Sequence, residues 1–170
     1  PTSQSPAINR QMFVVTSKEI DMNTPTRIQN GTPVEYEKQI GPLLGHLGQV
    51  QSMMEQAGLP RQLSHLIELR VSQINRCGFC VKMHSGEARK DGETNDRLDR
   101  LAVWDSVHDF SDPENATFAW AEALTYMERG TDFSALRTAL RTHFDDHQIS
   151  LITACTCMIN LWNRFQISKH

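Results

Sequence analysis

Residues 74–84 read INRCGFCVKMH, with Cys77 and Cys80 three positions apart and His84 four positions beyond the second cysteine. If a helix begins near Cys77, these side chains are i,i+3 and i,i+4 neighbours and share one face. A cysteine in the first turn of a helix meets unpaired backbone N–H groups and the positive end of the helix dipole. Both favour the thiolate, which is the nucleophilic form. His84, one turn further on, is placed to accept or relay the thiol proton. Gly78 and Phe79 keep the pair compact enough to close into a disulfide and reopen. The spacing predicts a redox-active dithiol with a built-in base.

Zinc ligation and inert burial compete with that reading. A closed zinc site wants four ligands, and Cys77, Cys80 and His84 supply three. The other two cysteines, Cys155 and Cys157, point about 200° apart on a helix and cannot chelate jointly. They are expected to be small core residues. No metal and no cofactor are therefore expected.

The totals narrow the setting. A chain of 170 residues is long enough to bury a core as one domain without disulfide staples. Its net charge of −3 is spread over interspersed acidic and basic residues, so no basic stripe points to nucleic acid. Four cysteines are too few for a disulfide-dense secreted scaffold. Residues 1–30 lack a basic start followed by an apolar run, so a cytoplasmic, reducing location is expected. In such a compartment C-x-x-C usually means redox work or metal.

The elements that must position the dithiol read as helix after helix. Residues 1–32 carry Pro, Asn and polar punctuation around the short apolar run Met12–Val15. They are expected to be an N-terminal arm, loose or docked on a neighbouring subunit. Residues 33–170 are expected to form one all-α domain, since no segment sustains a two-residue alternation. A short helix is expected over 34–40 with Pro42 as a break, then a helix over 43–57. Leu63, Leu66, Ile67 and Ile74 make a stripe on a helix over 61–74. A break at Asn75–Gly78 feeds a helix from about Phe79 to Lys90, which Asp91-Gly92 terminates. Thr94 or Asn95 caps the next, with Leu98, Leu101 and Ala102 as its stripe.

Ser111-Asp112-Pro113-Glu114 is a capping box with proline in the first turn. It opens a helix with Ala116, Ala119, Trp120, Ala123, Leu124 and Met127 on one face, ended by Gly130. Another short helix covers 132–143. The last, about 146–165, has no formal charge between Gln148 and Asn163, yet is too short and too polar to span a membrane. It suits a core helix or a subunit interface. Trp104, Trp120 and Trp162 are expected to pack. Glu122, inside an apolar run, is expected to be a buried anchor paired with a neighbouring segment.

Two longer stretches now carry a resemblance: LRVSQINRCGFCVKMHSGEARKDGE and DRLAVWDSVHDFSDPENATFAWAEALT. With the terminal INLWNRFQIS, they are similar to the alkylhydroperoxidase D-like branch of the carboxymuconolactone decarboxylase family, closest to its peroxidase-related group. The resemblance covers roughly residues 58–170. It implies an all-α, oligomeric fold with the active site near a subunit interface. It also implies that Cys80 is the peroxidatic residue and that Cys77 resolves it to a disulfide, with His84 as proton relay. The substrate would be a hydroperoxide, and the reductant an external dithiol, lipoyl or thioredoxin-like. Two positions depart from the family pattern. The glutamate usual twelve residues before the first cysteine is His65 here, so the relay role falls either to His65 itself or to Glu68, three residues later on a neighbouring part of the same helical face. The N-G-C common in the group is N-R-C, which puts Arg76 beside the site.

The leading expectation is a thiol-dependent peroxidase acting on alkyl hydroperoxides or hydrogen peroxide. A lactone decarboxylase like the family's namesake would need His and Glu acid–base groups but not two thiols. A non-enzymatic, redox-sensing helical oligomer would use the same disulfide as a switch.

Overall fold

The computed structural model describes residues 31–169, so the expectation for the arm falls almost wholly outside the described residues. Among these the chain is all-α, with no strand. α1 (Tyr36–Gln56) is followed by α2 (Arg61–Ile74), α3 (Gly78–Lys90) and α4 (Asn95–Arg100), and α4 runs into a 3-10 turn over Leu101–Ser106. α5 (Asp112–Tyr126), α6 (Phe133–Arg141) and α7 (Asp146–Ile167) complete the domain.

α2 is the hub: α3, α5 and α7 all pack on it. Its Leu63, Ile67 and Val71 join Met54, Trp120, Leu140, Ile152 and Ile159 in one apolar cluster. Its Leu66 and Leu69 join Ala88, Leu98, Leu101, Phe110 and Phe118 in a second. Each fully buried aliphatic side chain of this kind contributes about 1.5–3 kcal/mol through removal from water. The single stripe expected of α2 is thus too narrow, and Ile74 is only half-buried. A helix packed on several sides also buries its polar residues, here Ser64, His65, Glu68 and Ser72.

The helix boundaries show which local signals win. The expected break near Pro42 is present: the backbone of α1 leaves helical geometry at Ile40 (φ −131°, ψ 29°), so a first turn from Tyr36 is set off by a kink from the longer helix that follows. Proline clashes with the preceding turn, so the disruption falls upstream of the ring. Thr94 caps α4, its side chain accepting from the Arg97 N–H. The passage into the 3-10 turn shifts the helical phase, so Leu98 and Leu101 are buried whereas Ala102 is exposed. The capping box at Ser111 and Glu114 forms as expected. α5 stops before Gly130, because Met127 takes the left-handed conformation (φ 52°) and is exposed. The buried residues of α5 are Thr117, Phe118, Trp120 and Ala121, a face shifted from the expected stripe.

The junction of α2 and α3 positions the dithiol. Cys77 N–H donates to the Ser72 carbonyl at 3.0 Å and Arg76 N–H to the Gln73 carbonyl at 3.1 Å. With Arg76 at φ 58°, this is a complete left-handed helix terminus. The next residue, Cys77, is already the N-cap of α3, its sulfur accepting from the Cys80 N–H at 3.3 Å. Two residues, Asn75 and Arg76, therefore separate the end of α2 from the cap of α3. Side-chain amides tie this corner to α7: Asn75 Nδ2 donates to Asn160 Oδ1 and Asn163 Oδ1, both at 2.9 Å, and Asn163 Nδ2 donates to Ser72 Oγ at 3.0 Å.

Two stability predictions follow from that corner. Arg76→Gly removes the left-handed penalty of a side chain but frees the unfolded backbone, for a net stabilisation of about 0.5–1 kcal/mol. Asn163→Leu leaves Ser72 and Asn75 without their buried partner and is expected to destabilise by about 2–3 kcal/mol. Urea unfolding of both variants beside wild type checks each sign.

Candidate active site

Because α3 runs back along α2, the start of α2 faces the end of α3. His65 and Glu68 thereby meet His84, Glu87 and Asp91, and Gln51 of α1 closes the group. Cys77 and Cys80 are joined as a disulfide, with Cα atoms 5.3 Å apart. Both are buried, yet only Cys80 lines the adjoining cavity of about 600 Å³. The cavity wall also includes His65, Glu68 and His84 on the polar side, and Phe79, Met83, Ile159 and Trp162 on the apolar side. Phe79 and Met83 are exposed, so the mouth carries apolar surface.

Glu68 is the centre of the polar group. Its Oε1 accepts from Gln51 Nε2 at 2.6 Å, and its Oε2 lies 3.2 Å from His84 Nδ1 and 3.6 Å from His65 Nδ1. Burial pushes its carboxyl up, but the two imidazoles outweigh burial and hold it below the usual value. His65 is pushed the other way: Glu68 raises its pKa against the opposing effect of burial, and Asp91 adds to the rise. His65 Nε2 is 2.8 Å from Asp91 Oδ2, which His65 in turn holds below the ordinary carboxylate range. His84 Nδ1 is also 3.0 Å from Glu87 Oε2, while its buried Nε2 has no partner among the described residues. An imidazole held by carboxylates at one nitrogen keeps the other for proton exchange.

Of the five residues singled out in the sequence, Cys80, His84, Glu68 and His65 line one cavity, and Cys77 lies behind it, joined to Cys80. The sequence did not single out Gln51, Glu87 or Asp91 for it. Glu87 is i+3 from His84, a spacing that signals a same-face pair. Asp91 was legible only as a helix terminator, and Gln51 carries no local signal. The ligand atoms of His65, Glu68 and Glu87 lie within 4.8 Å of one another, within reach of a single cation.

Other expectations resolve outside the group. Arg76 is exposed and does not line the cavity. Glu122 is the expected anchor, accepting from Arg70 Nε at 2.6 Å and from Trp104 Nε1 at 2.7 Å. Trp120 packs in the core, whereas Trp162 lines the cavity. Cys155 is a core residue whose thiol pKa burial raises well above the usual range. Cys157 is exposed, which corrects the expectation of a second core cysteine. Two residues along a helix turn a side chain through about 200°, so the two thiols cannot share the core face.

The opposite shifts of His65 and Glu68 fix a pH window. A raised histidine pKa gives stability that is complete below the unfolded value of 6.5 and is lost as pH rises through the folded value. A lowered glutamate pKa gives stability that is complete above 4.5 and is lost as pH falls through the folded value. The destabilisation caused by His65→Gln is therefore expected to peak at about pH 5–6 and to shrink towards alkaline pH. Melting temperatures of the two proteins across that range test this.

Comparison with known proteins agrees with this architecture. Residues 48–123 match the model of the carboxymuconolactone decarboxylase family. The chain is 33% identical to the uncharacterized protein YdfG of Bacillus subtilis over 119 residues, which is 70% of this chain and 81% of YdfG. It is 34% identical over 100 residues to the uncharacterized protein YnjA of Escherichia coli, covering 59% of this chain and 54% of YnjA. A protein of unknown function from Agrobacterium tumefaciens, described as an AhpD antioxidant-defence candidate, superposes with a TM-score of 0.76 at 31% identity, covering 81% of this chain and 94% of that one. An uncharacterized peroxidase-related protein from Silicibacter sp. TM1040 shares the fold, with a TM-score of 0.62 at 19% identity over 79% of this chain and 78% of that one. The helical hub, the family match across its central helices and the extent of the likeness to YdfG lead to one assignment: the chain belongs to the carboxymuconolactone decarboxylase family.

Proposed function

We propose that the protein is a thiol-dependent peroxidase that reduces organic hydroperoxides, or hydrogen peroxide, through a Cys77–Cys80 dithiol/disulfide cycle. The observation that carries this reading is that Cys80, and not Cys77, lines the cavity together with His84 and Glu68. In the reduced protein His84 takes the Cys80 thiol proton at Nε2, while Glu68 and Glu87 stabilise the resulting imidazolium at Nδ1. The Cys80 thiolate attacks the terminal peroxide oxygen; an S–O bond forms, the O–O bond breaks, and His84 returns the proton to the departing alkoxide as alcohol. Cys80 is then a sulfenic acid. The Cys77 thiol attacks it, forming the disulfide and releasing water. An external dithiol reduces the disulfide by exchange and is itself oxidised.

His65 and Asp91 serve as positioning residues, holding the charge on Glu68. The mouth formed by Phe79, Met83 and Trp162 suits an alkyl chain, or a dithiol on a long arm such as a lipoyl group. A thioredoxin-like donor is the other reductant class, and the cytoplasm is the compartment that keeps either one reduced. Assembly as a homo-oligomer belongs to the same reading, supported by apolar surface at Leu43, Met53 and Met127.

Purified protein supplied with a dithiol is expected to consume cumene hydroperoxide, and Cys80→Ser to abolish turnover. Cys77→Ser should leave one burst of peroxide reduction and a sulfenic acid trappable by dimedone. Glu68→Gln is expected to slow turnover by about 10²–10³-fold, as loss of acid–base support does. Equal turnover by wild type and Cys80→Ser would overturn the proposal.

A further inference from the structure

α2 and α3 each carry a histidine followed three residues later by a glutamate: His65 and Glu68 in HLIE, His84 and Glu87 in HSGE. Paired i,i+3 His/Glu sets that converge from facing helices are how helical bundles hold metal ions. Here they do converge. The ligand atoms of His65, Glu68 and Glu87 lie within 4.8 Å of one another, and His84 Nδ1 sits 3.2 Å from Glu68 Oε2 and 3.0 Å from Glu87 Oε2. A third neighbour distance, His65 Nδ1 to Glu68 Oε2, is 3.6 Å. Ligands on one ion with bonds of about 2.0–2.1 Å lie about 3.3 Å apart, and His65, Glu68 and Glu87 lie close enough together for small side-chain shifts to bring them to that spacing.

Two independent features point the same way. His65 is 9% exposed, and its Nδ1 is buried without a hydrogen-bond partner beside Glu68. Its other nitrogen, Nε2, is held by Asp91 at 2.8 Å, the carboxylate–histidine arrangement that orients a metal-binding imidazole. The free oxygen of Glu68 is likewise fixed, by Gln51 at 2.6 Å. The group thus has both an inner set of ligands and the outer hydrogen bonds that would aim them.

We infer that His65, Glu68 and Glu87 form a binding site for one divalent transition-metal ion of the zinc class, with water completing its shell. A set of one imidazole and two carboxylates suits such an ion better than the oxygen-rich, higher-coordinate shells of calcium or magnesium. Occupancy engages Glu68, the carboxylate beside His84, so the metal-bound protein and the proton-relay form exclude each other. The site itself stands on the helix geometry and does not depend on peroxidase activity.

Zinc titration by calorimetry tests it in the oxidised protein, whose Cys77–Cys80 disulfide removes both thiols as ligands. A Cys157→Ser background removes the exposed thiol. One Zn²⁺ per chain is expected, with affinity at least tenfold weaker in His65→Gln and in Glu87→Gln. Asp91→Asn is expected to weaken binding by about tenfold through loss of the orienting carboxylate. The Glu87 side chain is 43% exposed, so Glu87→Gln keeps the test valid even if His65→Gln unfolds. Cobalt added in place of zinc should give the intense visible bands of four-coordinate Co²⁺. Absence of saturable binding, or wild-type affinity in Glu87→Gln, would overturn the inference.

Discussion

The reversal of the chain between α2 and α3 is the constraint on which the site depends. Its hydrogen bonds close α2 at Ser72 and Gln73, and Cys77 caps α3 with a sulfur. No loop intervenes to absorb error. Once the corner is set, the lengths of the two helices decide which residues meet. Glu68 comes opposite His84, and His65 opposite Asp91. The amides of Asn75 and Asn163 hold the corner against α7, so the long C-terminal helix fixes the dithiol at a distance. The fold accepts a non-glycine residue in a left-handed conformation at Arg76 to make this turn.

A buried carboxylate at the centre of such a corner is costly unless its charge is answered. Glu68 has two imidazoles and an amide around it, and the net effect keeps it ionised despite its burial. The same arrangement makes His65 more basic and holds Asp91 acidic, so the charge is shared along a line from the interior towards solvent. Removing any member would expose the others to an uncompensated environment. The group is therefore structural and chemical at once, which is common where functional residues lie on a central helix.

Why a central helix should carry them follows from the packing. α2 has apolar neighbours on opposite sides, in two separate clusters. Between them remain strips that face α1, α3 and α7, where Ser64, His65, Glu68 and Ser72 find partners. The cavity opens beside one of these strips, with Ile159 and Trp162 of α7 forming its apolar wall. Helices thus supply the side chains of the candidate site, apart from Cys77 and Asp91, which cap the two ends of α3. Side chains on helices are held more closely than those on loops.

His65 and Glu68 drew attention only through the family resemblance, whereas the all-α class, the helix register around the dithiol and the shared face of Cys77, Cys80 and His84 were legible in the sequence, because they rest on local spacing and capping. The cap at Thr94 and the box at Ser111 were legible for the same reason. Features decided by phase and by distant neighbours were not. Ala102 moved to the surface when α4 tightened into a 3-10 turn, and Met127 ended α5 where periodicity alone continued it. Cys157 faces out because two residues along a helix turn a side chain through about 200°, away from the face that buries Cys155. Above all, periodicity shows that a face is buried but not against what. The meeting of Glu68 with both histidines, the recruitment of Gln51 and Asp91, and the choice of Cys80 as the thiol at the cavity were settled only when α1, α2, α3 and α7 packed together.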